Sequence, residues 1–278
     1  MPAMPDRPEV VGVLRSRVIT ALGLTVLLVV AILYSPPAIT AAILGLILLI
    51  GAWEWSAFLA VSLPWRLLYV FALAALGTVG FRYSLDGARF RLLCELGVAW
   101  WLVALGWIVL APQRVSRTAA ALAGALALLP TWLALLRIDA LWAHGAQWTL
   151  FILALAFAAD TGAFFGGRQF GRLPLAPRVS PNKTWEGVIG GMLLGLVLAA
   201  GAAGWFGLPA VSFVPLCLTA AGFSVVGDLT ESLLKRHVHL KDSGRLFPGH
   251  GGVLDRIDSV TAATPMMALG LIWLGVGK

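Results

Sequence analysis

Long apolar runs alternate with short polar connections along the chain, and the two longest polar connections, 167–184 and 230–257, fall in its second half. A helix of about 20 apolar residues crosses a bilayer, and most of the runs reach that length. The pattern predicts nine membrane-spanning helices, near residues 18–35, 38–60, 64–81, 92–110, 118–136, 148–166, 185–206, 209–229 and 258–277. The Ser35-Pro36-Pro37 turn leaves open how the first two helices divide the stretch 18–60.

Composition supports the same class. Hydrophobic residues make up 60% of the 278 positions and charged residues 12%, whereas soluble domains are about half apolar and a quarter charged. We therefore expect an all-α polytopic membrane protein. The first run follows Arg15 and Arg17 as in a secretory signal, but eight further runs follow it, which favours a retained helix. Cys94 and Cys217 lie in or beside apolar runs without metal-ligand spacing, so we interpret both as packing residues.

The net charge of +7 follows the predicted topology. With a cytoplasmic N-terminus, only five of the 20 lysines and arginines fall on the opposite side: Arg82, Arg89, Arg91, Arg137 and Lys278. This bias obeys the positive-inside rule and indicates contact with anionic lipid, so no nucleic-acid partner is expected. Both long polar loops then face the cytoplasm. An integral protein of a bacterial inner membrane fits this pattern, and a plastid or mitochondrial origin stays open.

The acidic residues divide the chain into two regions, an N-terminal bundle at 1–146 and a catalytic region at 147–278. The first region holds six scattered acids, among them Glu54, which we interpret as an interfacial residue between Trp53 and Trp55. Ionisable groups at membrane depth are costly and therefore mark function. Seven acids are concentrated in the second region: Asp160, Glu186, Asp228, Glu231, Asp242, Asp255 and Asp258.

Two groups of charges lie at the ends of predicted helices. Asp228, Glu231 and Lys235 have the spacing i, i+3 and i+7 and would share one helix face; a charged helix end with an internal ion pair is the alternative for Glu231 and Lys235. Asp255 and Asp258 would share a face at the start of the last helix, where acids also favour the helix dipole. Carboxylates from two helix ends suit Mg²⁺, which prefers oxygen ligands.

Two loop motifs and one acid within an apolar run add candidate chemistry. In FPGHGG the glycines would let backbone N–H groups approach a phosphate, and His250 would be a phosphate donor, an acid–base group or a loop histidine. In SPNKTWEG, Thr184 and Glu186 fit a helix N-cap and first turn, while Lys183 suits a phosphate. Asp160 lies inside an apolar run, where an unpaired structural carboxylate is unfavourable. Together these groups indicate phosphoryl or nucleotidyl transfer.

Two blocks carry a resemblance to a known family. The stretch SLLKRHVHLKDSGRLFPGHGGVLDRID, residues 232–258, resembles the signature of the phosphatidate cytidylyltransferase (CDP-diglyceride synthase) family, and DTGAFFGGRQFGRLPLAPRVSPNKTWEG, residues 160–187, resembles its second conserved block. Departures occur at Phe164, Phe247 and Asn182 and leave the charged set intact. The resemblance implies that CTP and phosphatidic acid react to give CDP-diacylglycerol and pyrophosphate in phospholipid biosynthesis.

The resemblance also implies roles for individual residues. Asp228 and Asp255 match the metal-binding aspartates, so Mg²⁺ is the expected cofactor, and a second cation such as K⁺ would fit beside it. The candidate catalytic residues are Asp228, Asp255, Lys235 and Asp258. The candidate substrate-binding residues are Ser180, Lys183, Arg236, Lys241, His250, Arg256 and Asp160. The backbone of 249–252 would help to orient the nucleotide, Asp160 and Asp258 complete the acidic cavity without an assigned role, and a homodimer is compatible with the family.

Three alternatives to this reaction stay open. A related CTP-dependent enzyme would act on another lipid phosphate or on an isoprenoid alcohol. A cation transporter would bind its ion through Asp160, Asp228 and Asp255, but it predicts inverted repeats and acids near the midplane, and the sequence shows no repeat. An inactive homologue is disfavoured because the charged residues of both blocks are present.

Overall fold

The computed structural model describes residues 23, 25–244, 246 and 251–277, and most of them lie in helices joined by short connections. The helices are α1 (Thr25–Tyr34), α2 (Pro37–Ser56), α3 (Leu63–Ser84), α4 (Gly87–Leu110), α5 (Arg117–Leu141), α6 (Gly145–Phe170), α7 (Trp185–Phe206), α8 (Ala210–His237) and α9 (Leu254–Trp273). A 3₁₀ turn, Ala57–Leu59, extends α2. In the described part of the chain, the seven helices α2 to α8 are long and apolar enough to cross a membrane.

The predicted class, an all-α polytopic membrane protein, is confirmed, with differences at the ends of several helices. Helix α8 continues to residue 237 instead of ending near 229, and α9 begins four residues before the predicted 258. The charged groups around Asp228 and Asp255 therefore lie on helices. Of the predicted first span, 18–35, the part before residue 25 lies outside the described residues except Gly23.

Side-chain caps explain where several helices begin. The Asp86 carboxylate accepts a hydrogen bond from the Arg89 N–H at 2.9 Å at the start of α4. Thr184 Oγ1 accepts one from the Gly187 N–H at 3.1 Å at the start of α7, which confirms the N-cap predicted there. Each cap satisfies one of the N–H groups that a helix N-terminus leaves without an intrahelical partner.

The outer faces of α3 and α4 are apolar and exposed. A soluble monomer rarely exposes a contiguous apolar patch larger than a few hundred Å², so lipid is the natural neighbour of these faces. The exposed side chains include Leu63, Leu67, Leu68, Phe71, Leu76 and Val79 on α3 and Leu92, Leu96, Leu102, Val103 and Val109 on α4. Inside the bundle, Cys94 and Cys217 are buried free thiols, in agreement with the predicted packing role.

Glycines bring α6 and α7 into close contact. A methyl group added at Gly190 would lie 2.5 Å from the carbonyl oxygen of Gly162, and one added at Gly191 would lie 2.6 Å from that of Ala159. Only a residue without a side chain permits this approach, which is a common way for membrane helices to associate. The glycine faces fix the distance between the two helices that border the cavity described below.

We expect Gly190→Ala to lower the free energy of unfolding by about 1–3 kcal/mol, because the added methyl overpacks the contact between two backbones. Thermal unfolding of the purified protein in detergent measures this change. The matched control is Gly201→Ala on the same helix, where nothing lies within 4 Å of an added methyl and alanine is the better helix former. Equal melting temperatures for the two variants would contradict close packing at Gly190.

A short antiparallel hairpin interrupts the helical pattern between α6 and α7. Its strands are β1 (Pro174–Ala176) and β2 (Ser180–Thr184), paired with Pro174 opposite Thr184 and Ala176 opposite Ser180. The sequence predicts only a polar loop there. Because β2 runs directly into the capped start of α7, its residues are held at the end of the bundle where α6 ends.

Candidate active site

A cavity of about 620 Å³ lies between α6, β2, α7 and α8. Its polar lining consists of Asp160, Arg168, Ser180, Asn182, Lys183, Thr184 and Asp228. Its apolar lining includes Phe164, Leu175, Val188, Met192 and Val225. A space with charged groups and an apolar wall, set in a membrane-spanning bundle, suits a molecule with an ionic head and a hydrocarbon tail. Sequence reasoning did not include Arg168 or Asn182 among the site residues.

A second cavity, of about 570 Å³, lies between residues 143–148, 205–208 and 275–277. Trp148, Trp205 and Phe206 form much of its wall, and its polar side chains are those of His144 and Gln147. None of the described residues that line it carries a charged side chain. The first cavity is therefore the better candidate for reactions of phosphates.

An ion pair joins two sides of the first cavity. The ammonium group of Lys183 on β2 contacts the carboxylate of Asp228 on α8. The side chain of Asp228 is 33% exposed, so this carboxylate is accessible from the cavity. Asp160 on α6 lies close enough to both groups to interact with them electrostatically, and it accepts a hydrogen bond of 2.8 Å from the Ser259 hydroxyl of α9. Two charges singled out in separate motifs are thus brought together.

A second charged network lies further along α8. Lys235 Nζ donates to Glu231 Oε2 at 3.0 Å and to Asp255 Oδ1 at 2.6 Å. Glu231 is buried, and Asp258, buried at the start of α9, lies close enough to interact with it electrostatically. Asp228, Glu231 and Lys235 lie on one face of α8, as predicted, but Asp228 and Lys235 have different partners. Asp228 turns to the cavity, whereas Lys235 binds a neighbouring helix.

Backbone and side-chain donors also hold Asp255. Its Oδ2 accepts hydrogen bonds from the Ser243 N–H at 3.0 Å, the Ser243 hydroxyl at 2.9 Å and the Gly252 N–H at 2.7 Å. Gly251, at φ +81°, approaches the same carboxylate so closely that an added methyl would lie 2.6 Å from Oδ2. Gly251 therefore leaves room for the Asp255 carboxylate, and the N–H of Gly252 donates a hydrogen bond to the same carboxylate.

Glu54 joins this network from α2, and the prediction that it is an interfacial residue is wrong. Its side chain is 5% exposed, and its carboxylate accepts hydrogen bonds from the N–H groups of Val253 and Leu254 and from the Ser243 hydroxyl. Trp55 is also buried, with its indole N–H on the Ala120 carbonyl. The signal that could have found Glu54 is the cost of an acid inside an apolar run, the same argument that singled out Asp160.

The predicted site residues therefore fall into three sets. The first lines the cavity and comprises Asp160, Ser180, Lys183 and Asp228. The second lies in the adjoining buried network and comprises Lys235, Asp255 and Asp258. The third comprises Arg236, Lys241 and Arg256, which are exposed and do not line the cavity, so their phosphate contacts stay predictions. His250 lies outside the described residues, as do 247–249.

No ready-made cluster of metal ligands exists in the described part of the chain: no three histidine, cysteine, aspartate or glutamate side chains are grouped so as to hold one ion. Mg²⁺ in nucleotide-binding sites does not require such a cluster, because one or two carboxylates bind it together with phosphate oxygens and water. Asp228 offers carboxylate oxygens to the cavity and therefore fits a ligand of this kind. Asp255 presents its oxygens to Lys235 and to the loop.

Comparison with known proteins agrees with this arrangement. Residues 15–273 match the cytidylyltransferase family, and the chain belongs to it. The phosphatidate cytidylyltransferase of Haemophilus influenzae is 36% identical over 284 residues, covering 92% of this chain and 97% of the relative. That of Pseudomonas aeruginosa is 37% identical over 269 residues, covering 94% and 97%. A match to that of Brucella suis reaches 46% over 127 residues, covering 43% of this chain and 45% of the relative. The resemblance found in the two motif blocks is confirmed.

Proposed function

We propose that this protein transfers the cytidylyl group of CTP to phosphatidic acid, giving CDP-diacylglycerol and pyrophosphate. The observation that carries the proposal is the cavity between α6, α7 and α8, where the Lys183–Asp228 pair faces an apolar wall within a membrane-spanning bundle. A lipid phosphate can place its head at the pair and its chains toward the membrane. Two relatives that span nearly the whole chain are named for this activity.

In the proposed reaction, an oxygen of the phosphatidic acid phosphate forms a bond to the α-phosphorus of CTP. The bond from that phosphorus to the oxygen bridging the β-phosphate breaks, and pyrophosphate leaves with the electron pair. An ionised phosphate needs no proton removed before it attacks, so positioning and charge neutralisation supply most of the catalysis. Lys183 contributes to positioning and to charge neutralisation when its ammonium group leaves Asp228 and binds a phosphate oxygen.

Mg²⁺ is the cation that we propose for this site, with Asp228 and Asp255 as protein ligands and room for a second cation such as K⁺. When bound, it would neutralise charge on the phosphates of CTP and on the leaving pyrophosphate. Asp228 would release Lys183 toward substrate, and Asp255 would exchange one of its present donors for the ion. Asp160 and Ser180 remain at the cavity wall to orient the substrates.

The proposed active site faces the cytoplasm of a bacterial cell, where CTP and Mg²⁺ are available. This orientation is supported by the distribution of lysines and arginines. With a cytoplasmic N-terminus, 15 of the 20 lie on the same side of the membrane as the two long polar loops, as the positive-inside rule predicts for the cytoplasmic side. The full-length relatives from Haemophilus influenzae and Pseudomonas aeruginosa are bacterial. A homodimer stays a prediction, which the mass of the protein–detergent complex would test.

The experiment supplies purified protein in detergent with CTP labelled in its α-phosphate, phosphatidic acid and Mg²⁺. We expect labelled CDP-diacylglycerol, with no product when Mg²⁺ is chelated and none when diacylglycerol replaces phosphatidic acid. Parallel reactions contain an isoprenoid alcohol or another lipid phosphate as acceptor. A labelled product from one of those acceptors alone would replace the proposed substrate, and no labelled lipid from folded protein would overturn the proposal.

A further inference from the structure

Glu54 lies near the C-terminal end of α2, yet the described hydrogen-bond partners of its carboxylate, Ser243, Val253 and Leu254, are 189 to 200 residues away along the chain. Oε1 accepts from the Val253 N–H at 3.1 Å, and Oε2 accepts from the Leu254 N–H at 2.7 Å and the Ser243 hydroxyl at 3.3 Å. The carboxylate is buried, so these donors replace the water that an exposed acid would bind. A buried acid is retained only where such donors meet it.

These contacts supply a missing helix cap. Helix α9 begins at Leu254 with Val253 at the N-cap position, and no side-chain cap hydrogen bond is formed there from the chain's own cap residue. The valine side chain has no oxygen with which to accept from the first N–H groups of the helix. The Glu54 carboxylate accepts from two of them and places a negative charge at the positive end of the helix dipole.

The loop before α9 is shaped around the same carboxylate. A methyl group added at Gly252 would lie 2.5 Å from Glu54 Oε2, and one added at Gly244 would lie 2.7 Å from Glu54 Cδ. Both glycines therefore permit the loop backbone to pass directly beside Glu54. The two glycine positions and the acid form one fitted contact between α2 and the loop.

Ser243 extends this contact to the buried charge network. Its hydroxyl lies 3.3 Å from Glu54 Oε2 and 2.9 Å from Asp255 Oδ2, and its N–H lies 3.0 Å from Asp255 Oδ2. Asp255 in turn accepts from Lys235. A displacement of the loop from Glu54 would therefore move two of the donors that orient Asp255.

The end of α2 that carries Glu54 is itself fixed. Arg66 on α3 donates from Nε to the Ser56 hydroxyl at 2.8 Å and from Nη2 to the Trp53 carbonyl at 3.0 Å, and its guanidinium lies over the Trp53 ring at 4.1 Å. Cations near a helix C-terminus stabilise it. The carboxylate is thus presented from a rigid element, as a positioning group requires.

We infer that Glu54 is a positioning residue for the cytidylyl transfer: it caps α9 and holds residues 243–244 and 252–253 so that Ser243 and Asp255 keep their places beside Lys235. The inference rests on the proposed function for the reaction and on the structure alone for the contact. Glu54 acts through these residues and touches neither substrate in the proposed reaction.

The first test compares Glu54→Gln and Glu54→Asp with wild type. The amide of glutamine has one acceptor oxygen, so one N–H at the start of α9 then faces an NH₂ group. We expect kcat to fall about 10- to 100-fold, as for other residues that orient ligands, with little change in the KM for phosphatidic acid. Aspartate keeps the charge one methylene shorter, and we expect it to restore part of kcat.

Hydrogen exchange followed by mass spectrometry tests the contact between Glu54 and the start of α9 without any substrate. Loss of the cap should speed exchange of the amides at 251–255 by about fivefold or more, while exchange in α6 and α7 is unchanged. The control is Glu95→Gln, an exposed acid paired with Arg91 on α4, which should alter neither readout. Wild-type turnover and exchange in Glu54→Gln would overturn the inference.

A double-variant comparison separates positioning from general loss of folding. Gly252→Ala should lower the melting temperature less in a Glu54→Ala background than in wild type, because the added methyl then meets no carboxylate. Equal losses in both backgrounds, or a fall in turnover that only tracks the unfolded fraction, would contradict the fitted contact. If wild type transfers no cytidylyl group at all, the proposed function fails, whereas exchange still decides whether Glu54 holds the loop.

Discussion

Lys183→Met is expected to lower the kcat/KM for cytidylyl transfer about 100- to 1,000-fold, the range found when one donor to a developing charge is removed. Lys183 lies in the cavity against Asp228, and methionine keeps a long side chain while removing the charge. Because the Asp228 side chain is one-third exposed, losing the ion pair should change the stability by about 1 kcal/mol or less. Incorporation of labelled CTP and thermal unfolding, measured on the same preparation, report the two effects separately.

Two further variants show what the Lys183 charge does. Arg178→Met removes an exposed cation from the same hairpin, outside the cavity lining, and should leave turnover unchanged. Lys183→Met combined with Asp228→Asn keeps the pair neutral but removes both a phosphate contact and a proposed Mg²⁺ ligand, and we expect it to be no more active than Lys183→Met alone. Recovery of turnover in the double variant would mean that Lys183 serves to neutralise Asp228 instead of binding a substrate phosphate.

The helices could be predicted from the sequence because a run of about 20 apolar residues is sufficient to span a membrane. Each such run indicates a helix without any knowledge of the residues that pack against it. The N-cap at Thr184 could also be predicted, because Thr184 and its hydrogen-bond partner Gly187 are only three residues apart in the sequence. The hairpin before α7 was not predicted. Strands of three and five residues, one containing a proline and the other opening with one, are too short and irregular to show an alternating pattern.

The sequence predicts which charged residues belong to the candidate site, but it does not predict which of them pair with each other. The cost of ionisable groups at membrane depth singles out Asp160, Asp228 and Asp255 without any fold. It does not reveal that Asp228 faces Lys183 from another element or that Asp255 binds Lys235, because those pairings depend on how α8 packs on its neighbours.

Glu54 shows the limit most clearly. Its principal partners are backbone N–H groups at the start of α9, which every residue except proline possesses, so no residue type in the sequence marks them. The acid itself was visible, but its two tryptophan neighbours favoured an interfacial position. Trp53 is consistent with that interpretation, since it is partly exposed under Arg66, whereas Trp55 is buried. Aromatic neighbours therefore did not establish whether the carboxylate is exposed or buried in the protein.

Lys235→Met should have the largest effect on stability, lowering the free energy of unfolding by about 3–5 kcal/mol. Its ammonium is the shared partner of Glu231 and Asp255, and all three side chains are nearly buried, with Lys235 and Asp255 12% exposed and Glu231 1%. Removing the cation leaves two carboxylates facing each other in a region of low dielectric. Unfolding by denaturant in detergent micelles would measure the loss.

The fold provides a matched control for this change. Arg91 and Glu95 form an ion pair with the same i, i+4 spacing, but both side chains are well exposed, so Arg91→Met should cost about 0–1 kcal/mol. Adding Glu231→Gln to Lys235→Met removes one of the two stranded charges and should recover part of the stability. Turnover should stay low in that double variant, because Asp255 still lacks the donor at 2.6 Å. Equal losses for Lys235→Met and Arg91→Met would show that the buried network contributes no more than a surface ion pair.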